Sequence, residues 1–262
     1  MQILKNSSFL SQEIENKEIF VLAGPNGVGK TEIALNLTSF FYSLGIDSYL
    51  LDLDFTKADF TARSDRFWNE FSILPRGKGK YSDTPVWDEE IAKVLSLIDK
   101  NHRLIVDLGG DLKGMKSWRS LKSFWDNKEV HLTLVTNFCR PFSEEGSYLD
   151  FIEKAKTILN LDFHSLISNT HLIEYTDKEV LKMGWEKAGY FSHQENLPIL
   201  FVSIWEDLID NLSYKLRQDS SLRLKKTACD TEKTKSREDR PSEFSFLSGA
   251  AMRHEGLSWN IF

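Results

Sequence analysis

The stretch Gly24-Pro25-Asn26-Gly27-Val28-Gly29-Lys30-Thr31 reads G-x-x-x-x-G-K-T and lies between an apolar run over 19–22 and an amphipathic run over 33–41. Strand, glycine-rich turn and helix are the context in which this spacing cradles phosphate. Glycines let backbone N–H groups turn inward into an anion-binding nest, and the following helix aims the positive end of its dipole at the same point. Lys30 then reaches the β- and γ-phosphates, and the Thr31 hydroxyl is a ligand of Mg²⁺. Glu32, next along the helix, completes the candidate nucleotide-binding stretch. A glycine-rich turn that matches by chance is the competing reading, and the correct flanks on both sides speak against it.

A chain of 262 residues has room for one α/β domain with a sizeable core. Its net charge of −6 speaks against a general nucleic-acid coat and leaves a local basic patch as the only route to DNA. Cys139 and Cys229 are too few for a disulfide framework and suit a reducing compartment. No run reaches the roughly 18 apolar residues of a membrane-spanning helix, and the polar segment 1–17 is unlike a signal peptide. The expectation is a cytoplasmic protein with no integral membrane association.

Short apolar runs alternating with amphipathic ones predict a doubly wound, mostly parallel sheet covered by helices on both faces. Strands are expected over 19–23, 49–54, 103–107, 130–136, 165–168 and 199–203. The first helix carries Ile33, Leu37, Phe40, Phe41 and Leu44 on one stripe and stops at Gly45. Thr84-Pro85 reads as a cap for a helix burying Trp87, Ile91, Val94, Leu95 and Ile98. One helix is expected over 113–125, and another buries Tyr148, Phe151, Ile152, Ala155, Ile158 and Leu159. Thr176 with Glu179 forms a capping box for the helix carrying Val180, Met183 and Ala188. A last helix is expected with Trp205, Leu208, Ile209, Leu212 and Leu216. The domain spans 1–217, with an irregular arm over 55–83 that includes Arg76, Lys78 and Lys80. That arm is either a solvated loop or a mobile cover over a ligand or partner. Residues 218–262 form a charged tail in which disorder is expected, with apolar residues returning near its end.

Phosphate binding by itself hydrolyses nothing; a carboxylate must hold Mg²⁺ and another group must orient water. Asp107 ends an apolar strand, as a Walker-B aspartate does. Ligands of parallel sheets bind outside the carboxyl ends of the strands, where Asp52, Asp54 and Asp107 all fall. Singly, each could equally be a strand-end carboxylate capping the next helix. Gly109-Gly110 allows a backbone N–H to approach the terminal phosphate and gives a switch its mobility, or it is a plain tight turn. Arg140 is an anion contact or a surface ion pair. Cys139 and the scattered histidines give no metal-ligand spacing.

The cradle, the L-D-L-D strand that follows its helix, and the apolar strand ending in Asp-x-Gly-Gly together resemble the MinD/ParA/CobQ-type ATPases of the SIMIBI class. The resemblance covers residues 18–215. It implies a Mg·ATP-dependent, slowly hydrolysing switch acting on a protein partner or on its own homodimer. It assigns water-mediated Mg²⁺ support to Asp52, positioning of the attacking water to Asp54, the Walker-B role to Asp107, and an adenine contact to Asn169. Pro25 stands where much of that family has a second lysine that reaches across a dimer, so cross-subunit lysine catalysis is not implied. Dethiobiotin-synthetase-like phosphotransferases and ligases share the fold and are the alternative, with a non-hydrolysing nucleotide-binding adaptor as a third. No N-K-x-D motif is present, which leans towards ATP over GTP.

Overall fold

The computed structural model describes residues 17–54, 72–74, 89–140, 145–172, 175–205 and 259–261. Strand β1 (Ile19–Ala23) is buried along its whole length, as a five-residue apolar run must be at the centre of a parallel sheet. Helix α1 (Lys30–Ser43) returns the chain to β2 (Asp47–Leu53), and β3 (Ser72–Leu74) follows. Then come α2 (Glu89–Leu97), β4 (His102–Leu108), α3 (Leu112–Ser120), α4 (Lys122–Trp125), β5 (Val130–Thr136), α5 (Glu145–Leu159), β6 (Ser165–Ser168), α6 (Lys178–Glu195), β7 (Ile199–Trp205) and β8 (Trp259–Ile261). The sheet has eight strands in the order β3-β2-β4-β1-β5-β6-β7-β8, and only β8 runs antiparallel to its neighbour. This is the α/β, doubly wound architecture expected from the sequence.

The order puts β1 between β4 and β5, so the loops leaving β1, β4, β5 and β6 share one edge of the sheet. In the β2–β4 ladder Asp52 is the register partner of Asp107, and in the β1–β4 ladder Leu22 is. Helix α1 lies over this centre through Ile33, Leu37 and Phe41, all buried, with the Phe41 ring 5.3 Å from that of Phe20. Its end follows the expected stop. Gly45 N–H donates to Tyr42 and Ile46 N–H to Phe41, at 3.0 and 3.1 Å, the paired bonds of a left-handed C-terminal cap.

Several expectations are corrected. Leu44 lies beyond the buried stripe and is exposed. The helix expected over 113–125 is two helices, because Leu121 breaks the ladder with a tighter bond from its N–H to Trp118; the Trp118 and Trp125 rings then stack at 5.2 Å. Asp177, not Thr176, caps α6, accepting from Val180 N–H at 2.9 Å, while Thr176 Oγ1 accepts from Leu172 N–H at 2.8 Å. The stretch 55–83 is not wholly irregular, since β3 forms the sheet edge beside β2. Trp205 belongs to β7 rather than to a helix, and Trp259–Ile261 within the tail is a strand paired with β7. The cap at Thr84-Pro85, Trp87, the basic residues Arg76, Lys78 and Lys80, and the helix positions after Trp205 lie outside the described residues.

Between β5 and β6 the core holds a polar group. His131 Nε2 lies 2.9 Å from Ser165 Oγ, which is 3.1 Å from Thr133 Oγ1, and the His131 ring stacks on His164 at 5.1 Å. Burial, helped by His164 and Lys17, drives the His131 pKa down to about 3. Above the ordinary histidine pKa of about 6.5 the ring is neutral in folded and unfolded chains alike, and no stability is lost. Below it the unfolded chain binds a proton that the native state refuses until about pH 3. Stability therefore falls with acid by up to about 1.4 kcal/mol per pH unit from this group. Urea unfolding from pH 7 to 4 is expected to show this slope, reduced by about one proton in His131→Gln; equal slopes would show that His131 titrates normally.

Candidate nucleotide site

The cradle is built by the change from strand to helix. Gly29 occupies the N-cap of α1 at φ 90°, a left-handed conformation that glycine alone adopts without strain. No side chain caps this helix, so its first N–H groups and its dipole face out of its end into the loop. Lys30 is fully buried, and its Nζ donates to the carbonyls of Gly24 and Pro25 at 3.0 and 3.1 Å. The ammonium thus lies over the loop of Gly24, Pro25, Asn26, Gly27, Val28 and Gly29. Asn26 and Gly27 are the exposed crest, and Val28 is buried beneath.

Three acids meet this loop at the sheet edge. Thr31 Oγ1 donates to Asp107 Oδ2 at 2.5 Å, which ties α1 to β4. Asp52 and Asp107 stand side by side in register and are fully buried, and Asp54 is 2% exposed. Asp54 N–H donates to Asp52 Oδ1 at 3.0 Å, a local turn that brings the second carboxylate back to the edge. Among the described residues no group of three or more His, Cys, Asp or Glu could hold a metal by itself. A hydroxyl and a carboxylate completed by phosphate oxygens is nonetheless the donor set Mg²⁺ prefers, since it binds through few protein ligands plus substrate.

Gly110 closes the cradle from the β4 side. A Cβ placed there would sit 2.5 Å from Asn26 Oδ1 and 2.9 Å from both Asn26 N and Gly24 O, so only glycine lets this turn touch the loop. Asn169 closes it from the β6 side, its Nδ2 donating to the Val28 carbonyl at 2.8 Å. Ser203 Oγ donates to Asn169 Oδ1. Asn137 joins the loops after β5 and β6: its Nδ2 donates to His171 O at 3.3 Å, and its N–H to Tyr148 Oη at 2.8 Å. Arg140 lies close enough to His171 that its charge, after burial, lowers the His171 pKa, to about 4. His171 Nε2 is 3.9 Å from the Cβ position of Gly29, so these two residues border the cradle.

The loop 24–29, Lys30, Thr31, Asp52, Asp54, Asp107, Gly110 and Asn169 therefore lie together at one edge of the sheet, and Glu32 follows in the first turn of α1. Ser203 and Asn137 escaped sequence reasoning, although a lone hydroxyl inside the apolar run of β7 was a signal. A groove of about 560 Å³ lined by Trp125, Lys128, Lys156 and His164 among others lies at the opposite ends of β5 and β6, away from the cradle.

Cradle, adjoining aspartate strand and parallel order define the class of the molecule: a doubly wound, mostly parallel α/β fold with a G-x-x-x-x-G-K-T loop between its first strand and first helix. No protein-family model matches the chain, and no curated relative does. Among solved structures, it is similar to the cell division protein FtsY from Thermotoga maritima, with 17% identity and a TM-score of 0.44 over 72% of this chain and 62% of that one. FtsY from Mycoplasma mycoides gives 17% and 0.47 over 72% and 60%. FlhF, solved with GMPPNP and Mg²⁺, gives 14% and 0.44 over 72% and 66%. The chain spans less than two thirds of the length of these proteins.

Two outcomes test the geometry. Gly110→Ala is expected to weaken nucleotide binding by about tenfold or more, measured by calorimetry, since its methyl must displace Asn26 from the loop. Burial raises the Glu32 pKa to about 7, opposed by the Asn36 side chain. The native state gains from its neutral carboxyl at low pH and loses that gain as pH rises towards 7 and the unfolded chain ionises first. Glu32→Gln is expected to stabilise the protein by about 2–3 kcal/mol at pH 8 and by almost nothing at pH 4.5, in urea melts.

Proposed function

We propose that the protein is a Mg·ATP-binding P-loop ATPase that acts as a nucleotide-dependent switch on a protein partner or on its own homodimer. The observation that carries this reading is the Thr31–Asp107 hydrogen bond of 2.5 Å beside buried Lys30, Asp52 and Asp54. Backbone N–H groups of the loop and the Lys30 ammonium bind the phosphates; Lys30 exchanges two carbonyl partners for phosphate oxygens. Thr31 and Asp107, supported by Asp52, are the residues that would hold Mg²⁺, which neutralises charge on the phosphates when bound. Asp54, at the same edge, orients the attacking water. The contact between Gly110 and the loop supports the switch role, because a shift of the loop on phosphate binding moves the turn that leads into α3.

Adenine is the proposed base. Guanine offers two adjacent N–H donors, which a carboxylate satisfies best. Within 169–172 the loop beside the cradle offers Asn169, Thr170, His171 and Leu172, none of them acidic. Asn169 keeps an amide N–H for the base while holding Val28. Among the described residues no helix is long and apolar enough to cross a membrane, and a cytoplasmic location is part of the proposal.

Steady-state turnover and binding decide it. Lys30→Ala is expected to lose nucleotide affinity, and Asp54→Ala to bind Mg·ATP but turn over about a hundredfold or more slowly. Normal turnover in both variants sinks the mechanism. Displacement of bound ATP by GTP at equal concentration overturns the base assignment, and turnover that requires an added metabolite replaces the switch by a phosphotransferase or ligase.

A further inference from the structure

The strand β8 forms one edge of the sheet, beyond β7. It pairs antiparallel with the end of β7, setting Ile261 opposite Ser203, Asn260 opposite Ile204 and Trp259 opposite Trp205. It also lies alongside α1, the helix that begins at Lys30. The residue of β7 at which this pairing ends is Ser203, whose hydroxyl donates to Asn169. Asn169 in turn donates to the Val28 carbonyl, in the middle of the phosphate loop. Two side chains and two hydrogen bonds therefore join the last strand of the chain to the backbone that receives the nucleotide.

We infer that residues 259–261 are a C-terminal latch, docked on β7 by strand addition, and that latch docking and nucleotide binding strengthen one another. The occupant is a segment of this same chain, joined to β7 through residues 206–258. Strand addition suits such a role because main-chain bonds supply the hold on an otherwise exposed edge. A ladder of three residues is also too short to be stable by itself, so docking depends on what the edge beneath it is doing. With β8 in place, β7 is paired with β6 as far as Val202 and with β8 from Ser203 onward, and the Ser203 hydroxyl is held on Asn169. Without it the end of β7 is free on its outer edge and the Asn169 grip on Val28 loosens. Because the coupling is an equilibrium one, whatever docking adds to nucleotide affinity, nucleotide adds to docking.

The inference rests on nucleotide binding at the cradle, and the experiment separates the two. Mg·ATP affinity is measured by calorimetry for the full chain, for the chain ended after residue 258, for Ser203→Ala in the full chain, and for the combination. Truncation is expected to weaken binding by about fivefold or more, the lower end of common coupling between sites. Ser203→Ala should act similarly, and truncation of the Ser203→Ala chain should add little, because both remove the same connection. A synthetic peptide of residues 251–262 added to the truncated chain should recover the affinity. Hydrogen exchange at the amides of 259–261 should slow when Mg·ATP is added to the full chain, and not in Lys30→Ala. Unchanged affinity on truncation, fully additive losses, or exchange indifferent to nucleotide overturns the latch while leaving the cradle reading intact. A full chain that shifts to a dimer through this strand overturns docking within one chain. Absence of nucleotide binding by the full chain overturns the cradle reading, and the latch with it.

Discussion

The hydrogen bond from Thr31 to Asp107 ties the first turn of α1 to the end of β4 at the edge of the sheet. Thr31 opens α1 and Asp107 lies near the end of β4, two strands' worth of chain apart in sequence and adjacent in space. Everything between them is arranged to make this contact possible. Strand β1 lies directly against β4, so the loop it launches passes over the carboxyl end of the Asp107 strand. The helix then returns over Phe20 and fixes its own first turn above the acids. Moving β4 one place in the sheet would carry Asp107 a strand's width, close to 5 Å, out of reach.

Burial sharpens the chemistry of this contact. Lys30, Asp52 and Asp107 have no exposed surface, and Thr31 and Asp54 have 2%. Charges removed from water are costly unless paired and hydrogen-bonded, and they act on a bound ion far more strongly than exposed ones. The positive members are a lysine and the uncapped end of α1; the negative ones are three carboxylates. On the proposed function, a phosphate chain with its magnesium, which carries charge of both signs, would complete this balance. The charges are therefore in place before any ligand arrives, and the close packing of Gly110 on Asn26 and Gly24 makes the loop and the turn after β4 move together.

A second layer holds the loop from the other side. Ser203, Asn169 and Val28 form one chain of bonds, and Asn137, Tyr148 and His171 form another. Tyr148 is buried deeply enough that its pKa rises to about 12, so its hydroxyl stays protonated and serves as both donor and acceptor on Asn137. These residues come from β5, β6, β7 and α5 and the turns after them. The cradle is thus braced from β5, β6 and β7 as well as from β1 and β4.

Local chemistry made much of this legible. Gly29 and Lys30 announce the cradle because a left-handed glycine ahead of a helix has few other uses, and uninterrupted apolar runs such as Ile19–Ala23 announce a buried parallel strand. Asp52, Asp54 and Asp107 were readable because period-two geometry and strand ends fix where such side chains point. Other features have no local signature. The break at Leu121 goes with the stacking of Trp118 on Trp125, a tertiary contact, and β3 forms as a strand against the edge of β2. Asp177 outcompetes Thr176 as a cap because the Thr176 hydroxyl is engaged with Leu172. The sequence by itself determined the phosphate loop, the parallel α/β class and the acids at the strand ends, since each depends on neighbours a few residues away. Only the tertiary structure decided that Ser203 and Asn169 brace the loop and that Trp259–Ile261 returns to β7, because pairings across such separations are set by which edges the folded sheet leaves within reach.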